Sequence, residues 1–335
     1  MNAKAATGGA WVLGVDIGGT KTIAAIVGPD GKPGPSSQVA TPAREGPRAV
    51  LETAIRTARE VLAGHRQQRD AHAGHAVHAC GIGTAGTVGP DGTISYATDT
   101  LPGWAGTDVR GAFARALDLP TVVLNDVHAA ARGEYAHGAA QGHRTALVVW
   151  IGTGIGGAII DAGTVLAGRT STAGSVGHVP VPAGWTGGDR RQCTCGAWDH
   201  LEAHAAGPAI AARYLRLASS EDLEQASRAA ADLRAIAALA RAGDSLALSV
   251  IEQAGTAIGA VLGGLSNMLD PDVIVLGGGV AAISDLLERA IRRALADQAL
   301  PGPAGTELAF SLLGPMAAVI GASVAARTSL LQVIP

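Results

Sequence analysis

The sequence predicts an α/β protein built from two copies of one kind of domain. Two segments share a single layout, in which an apolar strand, a Gly/Thr turn, a second apolar strand and another turn follow one another. They are WVLGVDIGGTKTIAAIVGPDG, from Trp11, and ALVVWIGTGIGGAIIDAG, from Ala146. Their separation is far longer than a solenoid repeat, and 335 residues suffice for two domains. We therefore interpret the repeat as a domain duplication.

The first half of the chain alternates strand and helix patterns. A loose leader is expected over residues 1–10, followed by two strands around a glycine turn that close at Pro29-Asp30-Gly31. Apolar residues recur at helical spacing from Pro47 to Leu62. The polar stretch from His65 to His75 is expected to be a loop, and AVHACGIGTAG, from Ala76, is expected to be a strand.

The second half repeats this alternation. TVVLNDVHAAARGEYAHG, from Thr121, predicts a strand, a turn and a helix. The repeated hairpin follows, then a loop with two cysteines, a helical stretch from Pro208 to Leu269, and DVIVLGGGVAAISDLLERAIRRAL. That last segment predicts a buried strand, three glycines and an amphipathic helix. We expect an N-terminal domain over residues 1–125, completed by a C-terminal helix at 315–335, and a C-terminal domain over 126–314.

Composition excludes several function classes. The net charge is −3 and no long Lys/Arg cluster occurs, so nucleic-acid binding is not expected. The chain has no signal-peptide pattern and no uninterrupted apolar run of membrane length, which favours a cytoplasmic protein without membrane contact. Three cysteines are too few for a disulfide framework, and two of them lie one residue apart, as in a metal site.

The first glycine turn has the chemistry of a phosphate site. Gly18 and Gly19 let backbone N–H groups approach an oxygen, Thr20 adds a hydroxyl, and Asp16 could hold Mg²⁺ through water. A plain hairpin turn explains the same residues about as well.

Two further glycine clusters follow. GTGIGG, from Gly152, matches the dinucleotide pattern, but a strand and not a helix comes next, so we predict a phosphate-binding hairpin. Residues 277–279 lie between a strand and a helix, where a helix N-terminus favours an anion. Close packing is the alternative explanation there.

Taken together, these motifs resemble the sugar kinases of the ROK family (repressors, open reading frames and kinases), which are relatives of hexokinase, actin and the Hsp70 ATPase. The resemblance covers nearly the whole chain from Trp11. The matching motifs are Asp16-Ile-Gly-Gly-Thr-Lys21, Gly81-Ile-Gly-Thr-Ala-Gly86, Leu101-Pro-Gly-Trp104, Asn125-Asp126, Gly152-Thr-Gly-Ile-Gly-Gly157, Gly177-His178 and Cys193-Thr-Cys-Gly196 with Glu202.

The resemblance implies two actin/hexokinase-like ATPase domains with an interdomain cleft, and a homodimer or homotetramer. It implies ATP and Mg²⁺ on Asp16, Gly18, Gly19, Thr20, Lys21, Gly152, Thr153, Gly154, Gly277, Gly278 and Gly279. It implies a sugar on Gly83, Asp99, Thr100, Asn125, Asp126, Ser175, His178 and Glu202. Family repressors carry an N-terminal helix-turn-helix, for which there is no room before Trp11, so an enzyme is expected.

Asp126 is the candidate catalytic residue. Phosphoryl transfer needs a group that orients and deprotonates the acceptor hydroxyl, and Asp126 follows the TVVL strand, where ligands bind in such sheets. The family's catalytic aspartate matches it. A helix N-cap is the alternative, since Asn-Asp also suits that position.

The cysteine loop is a candidate zinc site. Cys193, Cys195 and His200 are close in sequence, and the family's upstream histidine would be His178, which completes a Cys₂His₂ set for a structural Zn²⁺. A chelating pair of His200 and His204 is a rival, and an incidental Cys-x-Cys is another. In the family, such a zinc loop carries the glutamate matched by Glu202.

Three departures from the family pattern bear on the substrate. Ser175 stands where a sugar-binding glutamate is usual, Asp99-Thr100 where asparagine is frequent, and Ala85 where proline is usual. The first two fall on the sugar side. An added carboxylate at Asp99 could bind the ammonium group of an amino sugar, although a solvent-facing turn residue is the simpler explanation.

The leading hypothesis is therefore ATP-dependent phosphorylation of the 6-hydroxyl of a hexose or amino-hexose, with glucose, N-acetylmannosamine and a 3-amino sugar such as kanosamine as candidates. A non-catalytic sugar-sensing regulator is the alternative, and a chaperone-like or actin-like ATPase is a third class. The sugar-side residues Trp104, His178 and Glu202 argue against that third class.

Overall fold

The computed structural model describes residues 9–72, 76–186, 188–218 and 233–333. The strands are β1 (Trp11–Ile17), β2 (Lys21–Val27), β3 (Pro33–Ala40), β4 (Val77–Thr84), β5 (Thr87–Val88), β6 (Ile94–Tyr96), β7 (Thr121–Asn125), β8 (Thr145–Ile151), β9 (Ile155–Asp161), β10 (Thr164–Val165), β11 (Val273–Gly278) and β12 (Glu307–Phe310). The α-helices are α1 (Pro47–His72), α2 (Val109–Leu117), α3 (Asp126–His137), α4 (Leu201–Ala205), α5 (Gly207–Leu217), α6 (Leu233–Arg241), α7 (Ser245–Leu269), α8 (Ser284–Gln298) and α9 (Ala317–Val333).

Two five-stranded sheets have the same construction. The first has the order β3-β2-β1-β4-β7 and the second β10-β9-β8-β11-β12. In each sheet an antiparallel hairpin (β1–β2 or β8–β9) is extended by parallel strands on the side of its first strand. The shared topology confirms the duplicated α/β fold that the repeat predicts.

The chain divides into two compact units. The first contains the described residues up to Gly142, Ala167–Ala173 and the residues from Pro315 onward, and the second contains His143–Leu166 and Gly174–Gly314. The first unit therefore extends one helix beyond the boundary expected after residue 125. The physical reason is that α3 packs closely on α9: a Cβ at Gly133 would lie 2.4 Å from the Ala317 carbonyl oxygen.

Each unit has its own apolar core. In the first, buried residues of the central strands pack with Val50, Ala54 and Ala58 of α1. In the second, the apolar side of the central strands packs with α5, α7 and α8. These cores hold the carboxyl ends of the parallel strands in place.

Helix α1 is longer than expected. The polar stretch from His65, predicted as a loop, is helical to His72, and residues 73–75 lie outside the described residues. His65 is buried, and its ring stacks on Trp11 with the ring centroids 5.8 Å apart. An amphipathic ring thus continues the buried side of the helix, which a hydrophobicity pattern does not register.

Several short elements were not anticipated. Strand β3 begins at Pro33, which an edge strand tolerates because its outer N–H is not needed for pairing. No turn separates β7 from α3, since the helix begins at Asp126. After β11 a 3₁₀ helix, Gly279–Ile283, comes before α8, so the glycines do not lead directly into the α-helix as predicted.

Two helices are long and apolar enough to span a membrane, Ser245–Leu269 and Gly314–Leu331, but most of each is buried inside the protein. Helix α7 contributes a long run of residues to the core of the second unit. Burial of this kind is typical of core helices.

Candidate active site

One edge of the first sheet gathers the predicted catalytic residues. Asp16, near the end of β1, is in register with Gly83 of β4, which in turn is in register with Leu124 of β7. The carboxyl ends of three neighbouring strands therefore meet at this edge, where α/β sheets bind ligands. A Cβ at Gly83 would lie 3.2 Å from the Ala129 Cβ, so glycine favours the close packing of α3 on β4.

Asn125 is the N-cap of α3. Its Oδ1 accepts hydrogen bonds from the backbone N–H groups of Val127 (3.0 Å) and His128 (3.1 Å), and its Nδ2 donates to the Gly86 carbonyl oxygen and to Asp126. The capping function considered for Asp126 thus belongs to its neighbour. Both the oxygen and the nitrogen of the Asn125 amide are already hydrogen-bonded. The predicted contact with a sugar therefore requires Asn125 to exchange one of these bonds for a bond to the sugar.

The Asp126 carboxylate is held on one side only. Its Oδ1 accepts from Asn125 Nδ2 and from the Val127 N–H, both at 2.9 Å. Its Oδ2 accepts no hydrogen bond from any described residue. A fixed carboxylate with one uncommitted oxygen at a sheet edge is suited to receive a proton from a bound hydroxyl.

The carboxyl groups of Asp16 and Asp126 are near enough at this edge to influence each other's ionisation. The pKa of Asp16 is raised to about 7, because protein surrounds the carboxyl and because the Asp126 charge is near, while Lys21 acts in the opposite direction. Burial also raises the pKa of Asp126, although the hydrogen bonds from Val127 and Asn125 act to lower it. A divalent cation would relieve this repulsion, and hard carboxylate oxygens are the ligands that Mg²⁺ prefers.

This repulsion predicts a pH-dependent cost in stability. Between an unfolded pKa of 3.8 and a folded pKa of about 7, the folded chain binds more protons at Asp16, so stability falls as the pH rises. Asp16→Asn is expected to raise the free energy of unfolding by up to about 4 kcal/mol at pH 8, and by less at pH 5. Urea unfolding without nucleotide measures both. The exposed Asp91→Asn serves as the control, and an equal gain at the two pH values would contradict the prediction.

The first glycine hairpin is a tight turn. The Gly18 N–H donates to the Lys21 carbonyl oxygen at 3.0 Å, and Thr20 at the tip is exposed. A Cβ at Gly19 would lie 2.4 Å from the Thr100 methyl group. The loop carrying Asp99 and Thr100 therefore packs directly on the predicted phosphate turn.

The second hairpin repeats this geometry. The Gly152 N–H donates to the Gly154 carbonyl oxygen at 2.9 Å, and Thr153 is exposed. A Cβ at Gly152 would meet nothing within 4 Å, so packing does not require glycine there. The carbonyl oxygen of Gly152 accepts from the Gly207 N–H, so both polar backbone groups of Gly152 are bonded within the protein. Glu202 Oε2 accepts from the Ile155 N–H at 2.9 Å, which ties the hairpin to α4.

The third glycine cluster is largely explained by packing. A Cβ at Gly277 would lie 2.1 Å from the Trp150 ring, and Gly278 has a left-handed φ of 80°. Gly279 is open, with its nearest neighbour 3.8 Å away. Of these three glycines, only Gly279 therefore leaves space beside its backbone for a phosphate group.

Ser175 is the N-cap of a short 3₁₀ helix, Val176–His178, and His178 is its last residue. A Cβ at Gly177 would lie 2.0 Å from the Ile155 carbonyl oxygen. Glycine is thus required for this turn to pack on β9, and the packing fixes His178 relative to the second hairpin.

The predicted zinc ligands come together. The ligand atoms of His178, Cys193, Cys195 and His200 all lie within 4.8 Å of one another. Cys193 Sγ is 3.7 Å from His178 Nδ1, and Cys195 Sγ is 3.2 Å from His200 Nδ1. Tetrahedral Zn–S and Zn–N bonds place their ligand atoms about 3.3–3.8 Å apart, so this donor set fits Zn²⁺.

The rival histidine pair does not form. His204 is buried, and its Nε2 lies 3.3 Å from Asp199 Oδ1, outside the cluster. Glu202 instead lies next to the loop, with its Oε1 accepting from the Thr194 hydroxyl at 3.0 Å and lying 3.8 Å from Cys193 Sγ.

The predicted site residues divide between the two units. Asp16 to Lys21, Gly83, Asp99, Thr100, Asn125 and Asp126 belong to the first unit, and the remaining ones to the second. Trp104, expected on the sugar side, is a core residue instead: it is buried, and its Nε1 donates to Thr84 Oγ1. The contact of Thr194 with Glu202 was not predicted, and the position of Thr194 between two cysteines is the only indication of it in the sequence.

Comparison with known proteins gives a consistent result. The model described as the ROK family matches residues 12–329. A glucokinase of Halalkalibacterium halodurans is 32% identical, with 93% of each chain covered, and an N-acetylmannosamine kinase of Escherichia coli is 30% identical, covering 80% of this chain and 82% of its own. The solved structure of a ROK family glucokinase from Streptomyces griseus in complex with glucose and AMPPNP is 30% identical, with a TM-score of 0.79, covering 95% of this chain and 99% of that one.

Proposed function

Because this chain belongs to the ROK family, whose model matches residues 12–329, we propose that it phosphorylates the 6-hydroxyl of a hexose or amino-hexose. It is an ATP-dependent sugar kinase with the actin/hexokinase-like ATPase fold of its relatives. The observation that carries the proposal is the Asp126 carboxylate, held through Oδ1 at the edge of the first sheet with Oδ2 uncommitted among the described residues.

Asp126 is proposed to act as the base. Its Oδ2 accepts the hydrogen bond of the sugar hydroxyl and takes the proton as the hydroxyl oxygen attacks. The raised pKa of Asp126 brings its basicity closer to neutral pH, where proton acceptance is most efficient. Asn125 supports this role as a positioning residue, since its Nδ2 donates to the other oxygen of the same carboxylate.

Each glycine hairpin carries groups that suit the phosphates of a nucleotide. ATP, when bound, supplies the phosphoryl group that is transferred. The exposed hydroxyls of Thr20 and Thr153 provide neutral donors for phosphate oxygens. Lys21 lies close enough to Asp16 to lower its pKa, and Asp16 with Asp126 forms the carboxylate pair that Mg²⁺ would neutralise.

The direct test is ADP release that depends on added sugar. A panel of glucose, N-acetylmannosamine, mannose and 3-amino-glucose is assayed with MgATP, and product phosphorylation at the 6-position is read by NMR. Sugar binding without ADP release would favour the non-catalytic regulator, and sugar-independent ADP release would favour the ATPase class.

The loop beside the first hairpin supports an amino sugar as acceptor. A cavity of about 400 Å³ in the first unit is lined by residues that include Gly19, Arg44, Asp99 and Thr100. Asp99 therefore borders the cavity next to a predicted phosphate turn. A carboxylate there could accept a charge-assisted hydrogen bond from a sugar ammonium group, worth about 1.5–3 kcal/mol.

We expect an amino-hexose to have a higher kcat/KM than glucose. Asp99→Asn is expected to lower the ratio of the two kcat/KM values about 10-fold or more, because the charge is lost while the shape is kept. Asp91→Asn, an exposed turn aspartate in the same unit, is the control and should leave the ratio unchanged. A wild-type ratio below one, or a ratio unaffected by Asp99→Asn, would contradict the proposal and favour glucose as the substrate.

We propose that the cluster of His178, Cys193, Cys195 and His200 binds one structural Zn²⁺ per chain. Both thiols are free cysteines, as in the reducing cytoplasm that we propose for the protein. The metal would hold the loop on which Thr194 contacts Glu202, and Glu202 in turn binds the second hairpin.

Metal analysis should find about one zinc per chain in the wild type. Cys195→Ser is expected to lose most of the metal and to raise the KM for sugar, because the support of Glu202 loosens. His204→Gln, which changes the histidine outside the cluster, should retain the metal. Full zinc occupancy in both His178→Ala and His200→Ala would show that the ligand set is wrong.

A further inference from the structure

A second charged site lies in the second unit, where a cavity shares Thr153, Cys193 and Glu202 with the sites described above and adds a group of arginines. A cavity of about 430 Å³ is lined by Arg191, Arg213 and Arg216, with Thr153 of the second hairpin among its other lining residues. None of the glycines 277–279 lines it. The cavity thus begins beside the hairpin and extends toward the cysteine loop.

The three guanidinium groups converge on a single carboxylate oxygen. Arg213 Nη1 donates to Asp189 Oδ2 at 2.7 Å, Arg216 Nη2 donates to the same atom, and Arg191 Nη2 lies 3.8 Å from it. One carboxylate balances one positive charge. Among the lining residues the only acidic one is Glu202, whose oxygens bind the hairpin and Thr194.

Two of these arginines are buried. The side chain of Arg213 is 7% exposed and that of Arg191 is 12% exposed. The Nε atoms of both are buried and have no hydrogen-bond partner within the described part of the chain. A buried donor without a partner costs free energy, so these N–H groups are suited to an acceptor that enters from the cavity.

The positive charges also disfavour one another. All three guanidinium groups lie within 3.8 Å of the same Asp189 oxygen, so three like charges are close together. An anion in the cavity would offset this repulsion. The small side chains of Pro208, Ala209 and Ala212 on α5 leave the space for it.

We propose that this cavity, the arginine pocket of Arg191, Arg213 and Arg216, binds a phosphate group. Guanidinium groups bind phosphate oxygens through paired N–H donors. The phosphate could belong to a free phosphate compound, or to the chain of a phosphoryl donor that passes Thr153 and continues into the pocket. Both sources present the same phosphate chemistry to the arginines. They differ in whether a bound nucleotide competes with inorganic phosphate for the pocket.

Calorimetric titration with inorganic phosphate and with tripolyphosphate tests the proposal at constant ionic strength. We expect saturable binding to the wild type and an at least tenfold weaker affinity in Arg216→Gln and Arg191→Gln. Arg216 is the first choice because its side chain is 52% exposed, so its replacement should not disturb folding. The matched control is Arg241→Gln, which removes another arginine paired with an aspartate and should bind as the wild type does.

A second arm repeats the titration with saturating AMPPNP and Mg²⁺. Loss of binding assigns the pocket to the donor's phosphate chain, and retained binding assigns it to a free phosphate compound. Absence of saturable binding in the wild type, or equal affinity in the wild type and in folded Arg216→Gln, would overturn the proposal.

Discussion

Asp126→Asn is expected to lower sugar-dependent turnover by about 10²–10⁴-fold, the usual contribution of a general base. The asparagine keeps the size of the side chain and can still accept the bonds that hold Oδ1, but it cannot take a proton. Sugar binding should therefore remain, and kcat should fall far more than KM changes. Steady-state kinetics with a coupled ADP assay measure both constants.

Folding should survive this substitution. The helix cap is provided by Asn125 and not by Asp126, and the raised pKa of Asp126 means that its charge costs stability at neutral pH. The melting temperature of Asp126→Asn should equal or exceed that of the wild type. Asp108→Asn, which alters the aspartate that caps α2, is the control and should keep full turnover. Wild-type turnover in Asp126→Asn would remove Asp126 as the base.

Gly321→Ala is expected to destabilise the first unit severely. A Cβ at this position would lie 1.7 Å from the Ala129 carbonyl oxygen and 2.6 Å from the Gly133 nitrogen. Both neighbours are backbone atoms of α3, so the clash can be relieved only by moving one helix away from the other. We expect a loss of about 3–5 kcal/mol or failure to fold, at the upper end of single-substitution effects.

The control is Gly264→Ala in α7, where a Cβ would meet nothing within 4 Å. It also places alanine within a long helix and should raise stability by up to about 1 kcal/mol, because glycine is the poorer helix former. Urea unfolding of both variants gives the comparison. Wild-type stability in Gly321→Ala would mean that α3 and α9 do not pack as described. Because Asp126 begins α3, loss of this packing should also abolish turnover.

The glycine hairpins could be predicted because their signal is local. An apolar strand, a turn of glycine and threonine and a second apolar strand specify a hairpin wherever they occur, and two copies specify the duplication. The division of roles at the start of α3 could not be predicted in this way. Asn and Asp are equally good caps, and only the geometry gives the cap to Asn125 and leaves one oxygen of Asp126 uncommitted.

Residues whose role depends on distant partners were missed or misread. Trp104 belongs to a recognisable motif, yet its indole bonds to Thr84 in the core. The arginine pocket combines a loop residue with two residues of α5, and no short-range pattern shows that they meet at Asp189. Close helix contacts such as that of Gly133 with α9 cannot be predicted from a local pattern either, and this contact joins α3 to the first unit.

Arg327 and the helix that carries it have a consequence for synthesis on the ribosome. The buried Arg327 donates to the backbone carbonyl oxygens of Ala10 and Gly28, so residues from opposite ends of the sequence complete one structural unit. The second unit is continuous in sequence except for the segment Ala167–Ala173. It can therefore fold before α9, the last helix of the first unit, has been synthesised. The ribosome adds about 190 residues between Gly142 and the end of α9, which takes roughly 10–40 s at ordinary elongation rates. During that interval the face of the first sheet that α9 will cover is exposed to chaperones and to other nascent chains.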